Sequence, residues 1–380
     1  MSKSNETTPN VPTLRFKDFV DNWTIATLGD VCSYRKERRI TEKRYYVSTE
    51  NILQNYQGIE CFDSNEKISG DAFDKNDVLM GNIRPYLKKV CFANFDGVCN
   101  ADVLVFKSET LNPKYLHCIL ANDSFINYVM SSVKGSKMPR GDKNFIMQYP
   151  LSYPSELEQA KISNFIGILT KRIEVQNKII EDLKVLKKEL CNKVFSNAEY
   201  VRLGDYITEI TTRNKANSCD NVLSVSNKMG FIKQSEQFED RTVASEDKRN
   251  YKVVTEGCFA YNPARINVGS IALLETQKVG IISPMYVCFK TSNELIADYL
   301  KFYYQSAIFF KELHKKLEGS VRQCLTYENM CEIQIPYVNV EQQRKIATAL
   351  KEFATRIVFE EQYLRALQRQ KAYFLNAMFI

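Results

Sequence analysis

The feature that most constrains the fold is an apolar heptad pattern that occurs twice. In each copy the apolar positions recur with alternating spacings of about four and three residues, and adding 184 to a position in the first copy gives an apolar position in the second. Charged and amide residues fill most of the intervening positions, as in the seam of a coiled coil. The seam residues are Ile162, Ile166, Leu169, Ile173, Ile180, Leu183, Leu190 and Val194, and then Ile346, Leu350, Phe353, Ile357, Leu364, Leu367, Phe374 and Met378.

This pattern predicts two long helices, at residues 156–196 and 339–380. A continuous helix of about 40 residues is roughly 60 Å long, which exceeds the core of an ordinary small domain. The apolar side chains of one such helix do not offset the entropy lost on ordering it, so each seam needs a partner. We expect the two helices to pack on each other, antiparallel if the intervening segment returns to its starting end. The alternative is two unrelated amphipathic helices.

Two positions within each seam are polar. They are Gln176 and Lys187 in the first copy, and Glu360 and Lys371 in the second. Antiparallel packing would set Lys187 opposite Glu360 and Gln176 opposite Lys371, and such polar layers fix register in some coiled coils. The alternative is that the lysine stems lie along the seam edge with their charges in water.

The rest of the chain repeats as well. The triplet Leu28-Gly29-Asp30 returns as Leu203-Gly204-Asp205, and residues 97–107 (GVCNADVLVFK) align without a gap on residues 280–290 (GIISPMYVCFK). In both halves strand-like runs alternate with turns, whereas residues 35–75 and 214–252 differ widely. The predicted fold is α/β (α+β): two globular domains separated by the two long antiparallel helices, with an internal pseudo-twofold repeat. The predicted segments are a tail at 1–11, a first domain at 12–155, a helix at 156–196, a second domain at 197–338 and a helix at 339–380.

Composition limits the class of protein. With 380 residues and 44% hydrophobic residues, the chain has enough apolar side chains for two or three domains. Residues 1–10 are polar, unlike a signal peptide, and no apolar run approaches 18 residues, so we expect a cytoplasmic protein without a membrane segment. The net charge of +7 is compatible with nucleic-acid binding without requiring it.

Motifs for catalysis are missing from the sequence. Its 11 cysteines occur without a Cys-x-x-Cys pair and only two histidines are present, so we predict no metal site, no disulfide framework and no cofactor. There is no Gly-x-Gly-x-x-Gly, Walker or Gly-x-Ser-x-Gly motif. The run Tyr261-Asn262-Pro263-Ala264 weakly resembles the Asn-Pro-Pro-Tyr loop of amino-methyltransferases, but Ala264 replaces the second proline and no cofactor loop precedes it. We therefore predict no catalytic residues.

Basic residues beside aromatic or amide residues do recur in the turns of both halves. Loops of this kind can hold phosphates through Lys and Arg, while Arg, Asn or Gln reads base edges. The alternative for any single residue is ordinary solvated surface. The predicted DNA-binding residues are Arg35, Arg38, Arg84, Lys88, Lys89, Lys134, Lys137, Arg140, Lys143, Arg213, Lys215, Asn262, Arg265, Arg322 and Gln323.

These features together resemble the specificity (S) subunit of type I restriction-modification enzymes, the HsdS family. The motifs are the opening run at residues 12–16, the segments at 82–89 and 261–270, and the Glu158-Gln159 and Gln342-Gln343 pairs at the helix starts. The resemblance implies two target recognition domains alternating with two long spacer helices, each domain reading one half of a split, asymmetric DNA site. It also implies a non-catalytic subunit in the cytoplasm, associated with the nucleoid, that docks two modification (adenine methyltransferase) subunits and is joined by translocating restriction subunits.

A rod of this length predicts a bipartite target. Half-sites on one face of DNA lie about one helical turn apart, roughly 34 to 36 Å, which a spacer of roughly 60 Å can span, leaving an unread gap of a few base pairs. Two rival functions stay open at this point: a coiled-coil adaptor that does not bind DNA, and a stand-alone endonuclease or methyltransferase. The adaptor predicts no salt-dependent DNA binding.

Overall fold

The fold consists of two similar units in which helices pack on small sheets. The computed structural model describes residues 10–133, 138–196, 198–227, 229–234, 247–275, 277–318 and 323–380. Contacts divide the chain into a first unit, Met1–Lys178 with Glu361–Ile380, and a second unit, Ile179–Glu360. The mixture of helices and sheets in two similar units confirms the predicted α+β class.

The first unit contains two four-stranded sheets and a two-stranded one. Its strands are β1 Thr24–Thr27, β2 Cys32–Tyr34, β3 Arg38–Glu42, β4 Tyr46–Val47, β5 Lys67–Phe73, β6 Val78–Gly81, β7 Val90–Phe92, β8 Gly97–Cys99, β9 Val103–Ser108 and β10 Pro150–Tyr153. They pair in the orders β2-β9-β6-β7, β3-β5-β8-β4 and β1-β10. Its helices are α1 Leu28–Val31, α2 Pro113–Leu120, α3 Asp123–Ser131 and α4 Lys143–Met147, with 3-10 turns at Lys43–Tyr45 and Pro85–Leu87.

The second unit has the same set of sheets. The helix α5, Glu156–Ser196, begins in the first unit and continues into the second from Ile179. The strands that follow are β11 Glu199–Arg202, β12 Ile207–Glu209, β13 Val222–Ser226, β14 Gly230–Lys233, β15 Lys252–Thr255, β16 Phe259–Tyr261, β17 Ile271–Leu273, β18 Val279–Ile282, β19 Val287–Thr291 and β20 Gln334–Tyr337. Their orders are β12-β19-β16-β17, β14-β13-β18-β15 and β11-β20. The helices are α6 Ala297–Tyr303, α7 Ala307–Lys316 and α8 Tyr327–Cys331, with 3-10 turns at Leu203–Asp205 and Ile266–Val268. The last helix, α9 Val340–Ala377, begins in the second unit and belongs to the first from Glu361 onward.

One strand differs in place between the two units. Both contain a three-stranded core with one parallel and one antiparallel pair, β4-β8-β5 in the first and β13-β18-β15 in the second. The fourth strand, β3, pairs with β5 in the first unit, but β14 pairs with β13, at the opposite edge, in the second. This difference lies within the two stretches that diverge most in sequence.

The long helices contribute to the core of each unit. In the first unit the ring of Phe165 on α5 lies 4.8 Å from that of Phe374 on α9, and Arg172 Nη2 donates to the Tyr363 hydroxyl at 2.7 Å. Residue numbers rise along α5 as they fall along α9, so the helices are antiparallel there. In the second unit Phe195 packs edge-on against the core residue Tyr299.

Burial along both helices follows the heptad pattern. None of the sixteen seam residues is exposed. Seven are buried: Ile162, Ile166, Leu169, Ile180, Leu350, Leu367 and Met378. The other nine are half-buried: Ile173, Leu183, Leu190, Val194, Ile346, Phe353, Ile357, Leu364 and Phe374.

The predicted pairing of Lys187 with Glu360 in the seam is wrong. Lys187 donates to Gln305 Oε1 at 3.0 Å and lies over the ring of Phe302, while Glu360 forms an ion pair with Arg356 on its own helix. The physical reason is that Phe302 on α6 and Gln305 in the turn after it lie beside the seam, so the lysine stem reaches them rather than the facing long helix.

Gln159 and Gln343, near the starts of the two long helices, make equivalent hydrogen bonds in the two units. Gln159 and Gln343 are 3% and 0% exposed. Gln159 Oε1 accepts from Asn112 N, and Gln343 Oε1 accepts from Ile296 N, both at 2.8 Å. Each side chain therefore connects the start of a long helix to the N-terminal end of α2 or α6.

Candidate nucleic-acid interface

The loop after β6 presents an exposed arginine in a constrained backbone. Arg84 has φ 53° and ψ 63°, in the left-handed region. The surrounding structure must hold such a conformation in a residue with a Cβ, because it costs about 1 to 3 kcal/mol. The Arg84 side chain is exposed and, among the described residues, carries no hydrogen bond or ion pair.

Hydrogen bonds tie this loop to the segment before α4. Arg84 N donates to Pro139 O at 2.8 Å. The side chain of Asn82, which is 5% exposed, accepts from Gly141 N at 3.1 Å and donates to Gly141 O at 3.3 Å. Arg140 lies between these contacts, bridged to Ile83, and its guanidinium remains half exposed although it pairs with Asp102.

The second unit has the corresponding arrangement after β16. Leu325 N donates to Pro263 O at 3.1 Å. The hydroxyl of Tyr261, a fully buried residue, contacts Leu325 O at 3.3 Å and Thr326 O at 3.1 Å. Arg265 is exposed beside this contact, so an arginine again stands next to two loops that are bonded together.

Several other predicted DNA-binding residues have partners within the protein. The Arg35 side chain is 13% exposed and pairs with Asp77 at 2.8 Å and Asp74 at 3.0 Å. The Asp77 carboxylate raises the pKa of Arg35, so this side chain fixes the turn between β5 and β6. The remaining pairs are Lys88 with Asp123 at 2.8 Å, Lys89 with the Thr49 carbonyl, and Arg213 with Asn250 at 3.2 Å.

The remaining predicted residues fall into three groups. Asn262 is 8% exposed and its Oδ1 accepts from Ala264 N, so it shapes the loop. The exposed residues, which have no side-chain partner within the described ranges, are Arg38, Lys143, Lys215 and Gln323. The residues outside the described ranges are Lys134, Lys137 and Arg322.

The sequence analysis missed the residues that hold the loops together. Asn82, Gly141 and Tyr261 were absent from the predicted site, which consisted mainly of Arg and Lys residues. One signal was available: Asn82 and Asn262 occupy the same place after equivalent strands. The identity of the partner residue could not be read from that repetition.

Metal ligands and thiols in the described part of the chain were the groups to check for chemistry. No group of three or more His, Cys, Asp or Glu residues in it could hold a metal ion. Burial raises the pKa of Cys32, Cys99 and Cys288 to about 12, which disfavours the reactive thiolate. Within the same residues, no helix combines the length and apolarity needed to cross a membrane.

Comparison with known proteins identifies two copies of one domain. A model of the type I restriction modification DNA specificity domain matches residues 20–185 and 196–369. The specificity subunit of the type I restriction enzyme MjaVIII of Methanocaldococcus jannaschii is 22% identical over 94% of this chain and 92% of its own length. The specificity subunit of the Escherichia coli enzyme EcoDI is 27% identical, but the match spans only 24% of this chain and 20% of the relative.

Solved structures share the fold. The S subunit of a type I restriction-modification system from M. genitalium superposes with a TM-score of 0.61 at 14% identity, covering 97% of this chain and 99% of that one. A chain from a study of assembly and conformational transition of the type I R-M system gives 0.58 at 18% identity, covering 93% and 96%. Since the two domain matches account for most of the sequence, this chain belongs to the family of type I restriction-modification specificity subunits.

Proposed function

We propose that this chain reads a bipartite, asymmetric DNA site, with one domain for each half-site. The observation that carries the proposal is the recurrence of an exposed arginine, Arg84 or Arg265, at the equivalent loop of each copy of the specificity domain. Arginine can bind guanine through two hydrogen bonds in the major groove or neutralise a phosphate. The two domains differ in sequence around these loops, which accounts for two different half-sites.

Exposure alone does not separate the roles of the remaining basic residues, so we assign these roles from the partners of each side chain. The exposed residues without partners, such as Arg38, Lys143 and Lys215, are proposed to contact DNA directly. Residues held in ion pairs, such as Arg35, are proposed to shape the surface instead. Gln323 and the half-exposed Arg140 flank the two arginine loops and are proposed to extend the contact.

We further propose that the chain is not itself catalytic and acts as a scaffold. In the first unit Ile168, Val175 and Tyr363 are exposed on the long helices, and in the second unit Val358 and Phe359 are. Apolar side chains exposed in this way suit protein docking. We assign them to two modification subunits, with restriction subunits joining the complex, and expect it to work in the cytoplasm at the nucleoid.

The test of this function is single-molecule sequencing of modified adenines. DNA would be compared from cells that carry the companion methyltransferase subunit with and without this chain. We expect a split motif to be methylated only when the chain is present. A stable complex that produces no new motif would reject the proposal and favour the adaptor function.

A salt titration separates the two functions in vitro. A reader that contacts phosphates releases counterions, so its DNA affinity falls by orders of magnitude between about 50 and 200 mM salt. The complex of this chain with its methyltransferase subunit should show that slope on DNA containing the motif. A salt-independent signal, or none, would be the result expected of an adaptor.

A further inference from the structure

We propose that Asn82 and Tyr261 are positioning residues that set the base specificity of the first and second half-site, respectively. This inference rests on the proposed function, because it assumes that the loops they join face DNA. Neither residue need touch DNA. Each would act by fixing the distance and orientation between two loops that carry exposed side chains.

The first interloop contact consists of Asn82 with Gly141 and Arg84 with Pro139. The Asn82 amide both donates to and accepts from the Gly141 peptide, a pairing that fixes the two backbones in one orientation. The backbone N of Asn82 donates to Asp102 O at 2.8 Å, and Asp102 also pairs with Arg140. One buried side chain therefore determines how the loops of Arg84 and Arg140 lie together.

Residue 141 has no room for a side chain at this contact. A Cβ there would come within 2.7 Å of Val129 Cγ1, 3.0 Å of Ile146 Cδ1 and 3.1 Å of Asn82 Oδ1. Only glycine allows the peptide to approach Asn82 so closely. Both sides of the contact are thus specified by residue type, as expected of a joint whose geometry matters.

The second interloop contact consists of Tyr261 with Leu325 and Thr326, and Pro263 with Leu325. It joins the equivalent loops with different chemistry, because the strand that ends in Tyr261 in the second unit ends in Gly81 in the first. Asn262, the counterpart of Asn82, bonds within its own loop instead. The two loops are therefore bonded to each other in both units, although different residues form the bonds.

A mispositioned arginine loses base discrimination before it loses phosphate binding. Base recognition through two hydrogen bonds depends on the plane and distance of the guanidinium, whereas a phosphate contact depends mainly on charge. Loosening one interloop contact should therefore relax one half-site. The other half-site should be unaffected, because its own loops keep their contact.

The experiment compares six variants of the full chain in the methyltransferase complex. Asn82→Ala and Tyr261→Phe remove the side-chain hydrogen bonds of the two contacts. Asn122→Ala and Tyr303→Phe are matched controls: Asn122 is 6% exposed with two side-chain hydrogen bonds, and the buried Tyr303 hydroxyl contacts Gln334 O at 3.1 Å, away from the loops. Arg84→Ala and Arg265→Ala identify which half-site belongs to which unit.

The readout is adenine methylation at all single-base variants of the motif. We expect Asn82→Ala to raise methylation of first-half-site variants roughly fivefold or more relative to the intact motif. This is the loss of discrimination between bases that is expected when a base contact is weakened. Tyr261→Phe should do the same at the second half-site only. The two controls should leave both half-sites unchanged, even where they lower the melting temperature equally.

The possible failures can be told apart. If Arg84→Ala changes the first half-site while Asn82→Ala behaves as Asn122→Ala does, the positioning role is overturned and the proposed function stands. If Tyr261→Phe relaxes both half-sites equally, the assignment of one contact to one half-site is overturned. If no split motif is methylated even by the unaltered chain, the proposed function fails and this inference fails with it.

Discussion

At the residue scale, a side chain's partners decide its role more than its type does. Arg35 and Arg84 are both arginines in loops near the start of the first unit. Arg35 is held by Asp74 and Asp77, whereas Arg84 is exposed on a left-handed backbone. The same reasoning separates Asn262, which bonds within its loop, from Gln323, which is exposed.

His117 gives a prediction about pH. Burial against Phe92, with Lys371 nearby, lowers its pKa to about 3 from an ordinary value of 6.5. Below about pH 6.5 the unfolded chain binds a proton that the folded chain does not, so stability falls as pH falls toward 3. Between pH 7 and pH 5 the unfolding free energy should fall by about 1 to 2 kcal/mol less in His117→Gln than in the unaltered chain, as measured by urea denaturation.

The second histidine of the sequence provides the control. His314 is exposed on α7, so His314→Gln controls for the loss of an imidazole outside the buried position. Equal effects of the two substitutions would contradict the role of burial at His117.

At the element scale, the two long helices are attached to the globular parts by specific contacts at their ends. Arg15 binds Glu158 on α5 through two bonds of 2.8 Å, with Glu158 1% exposed. Leu14 N donates to Ala377 O near the end of α9 at 2.9 Å. The apolar seam therefore accounts for the formation of the helices. Polar contacts at their ends determine where they attach to the globular parts.

Gln343 allows this attachment to be tested. Its side chain accepts from Ile296 N and donates to Glu294 O at 2.9 Å and Val338 O at 2.8 Å. We expect Gln343→Ala to lower the unfolding free energy by about 2 to 4 kcal/mol, because buried backbone groups lose their partners. Chemical denaturation followed by circular dichroism measures the change.

The neighbouring residue is the matched control. Gln342 is exposed on the same turn, and Gln342→Ala should change stability by less than about 0.5 kcal/mol. A similar loss in both variants would indicate that the helix start, rather than the buried amide, is what matters.

At the scale of the whole molecule, the chain contains two copies of the same domain. The two matches to the specificity domain each cover a globular part with much of the long helix that follows it. The sheets keep their strand orders apart from the edge strands β3 and β14. Repetition of the scaffold with a different edge fits a protein that reads two different sequences.

The length of the two long helices should set the length of the unread gap in the DNA site. We expect the insertion of one heptad into both α5 and α9, at equivalent seam positions, to widen the unread gap by about three base pairs. Seven helical residues add about 10.5 Å, and base pairs are stacked about 3.4 Å apart. Adenine methylation mapped across the genome measures the gap, and an altered half-site sequence would contradict the idea.

The sequence by itself determined the repeat, the two long helices and the α+β class. Heptad spacing, turn residues and the aligned segments are local or periodic, so they can be read without knowing which distant residues meet. The family could be recognised for the same reason. The strand order of the sheets, by contrast, joins segments far apart in the chain and was not predicted.

Only the tertiary structure decided which polar side chains have partners. Asn82 meets Gly141 across 59 residues, and Lys187 meets Gln305 across 118. The heptad pattern placed Lys187 opposite Glu360 because it treated the two helices as an isolated pair. In the folded chain Gln305 of the globular part is the nearer partner of Lys187. A hydrogen bond requires atoms that folding brings within about 3 Å of each other, and spacing along the sequence does not specify which atoms these are.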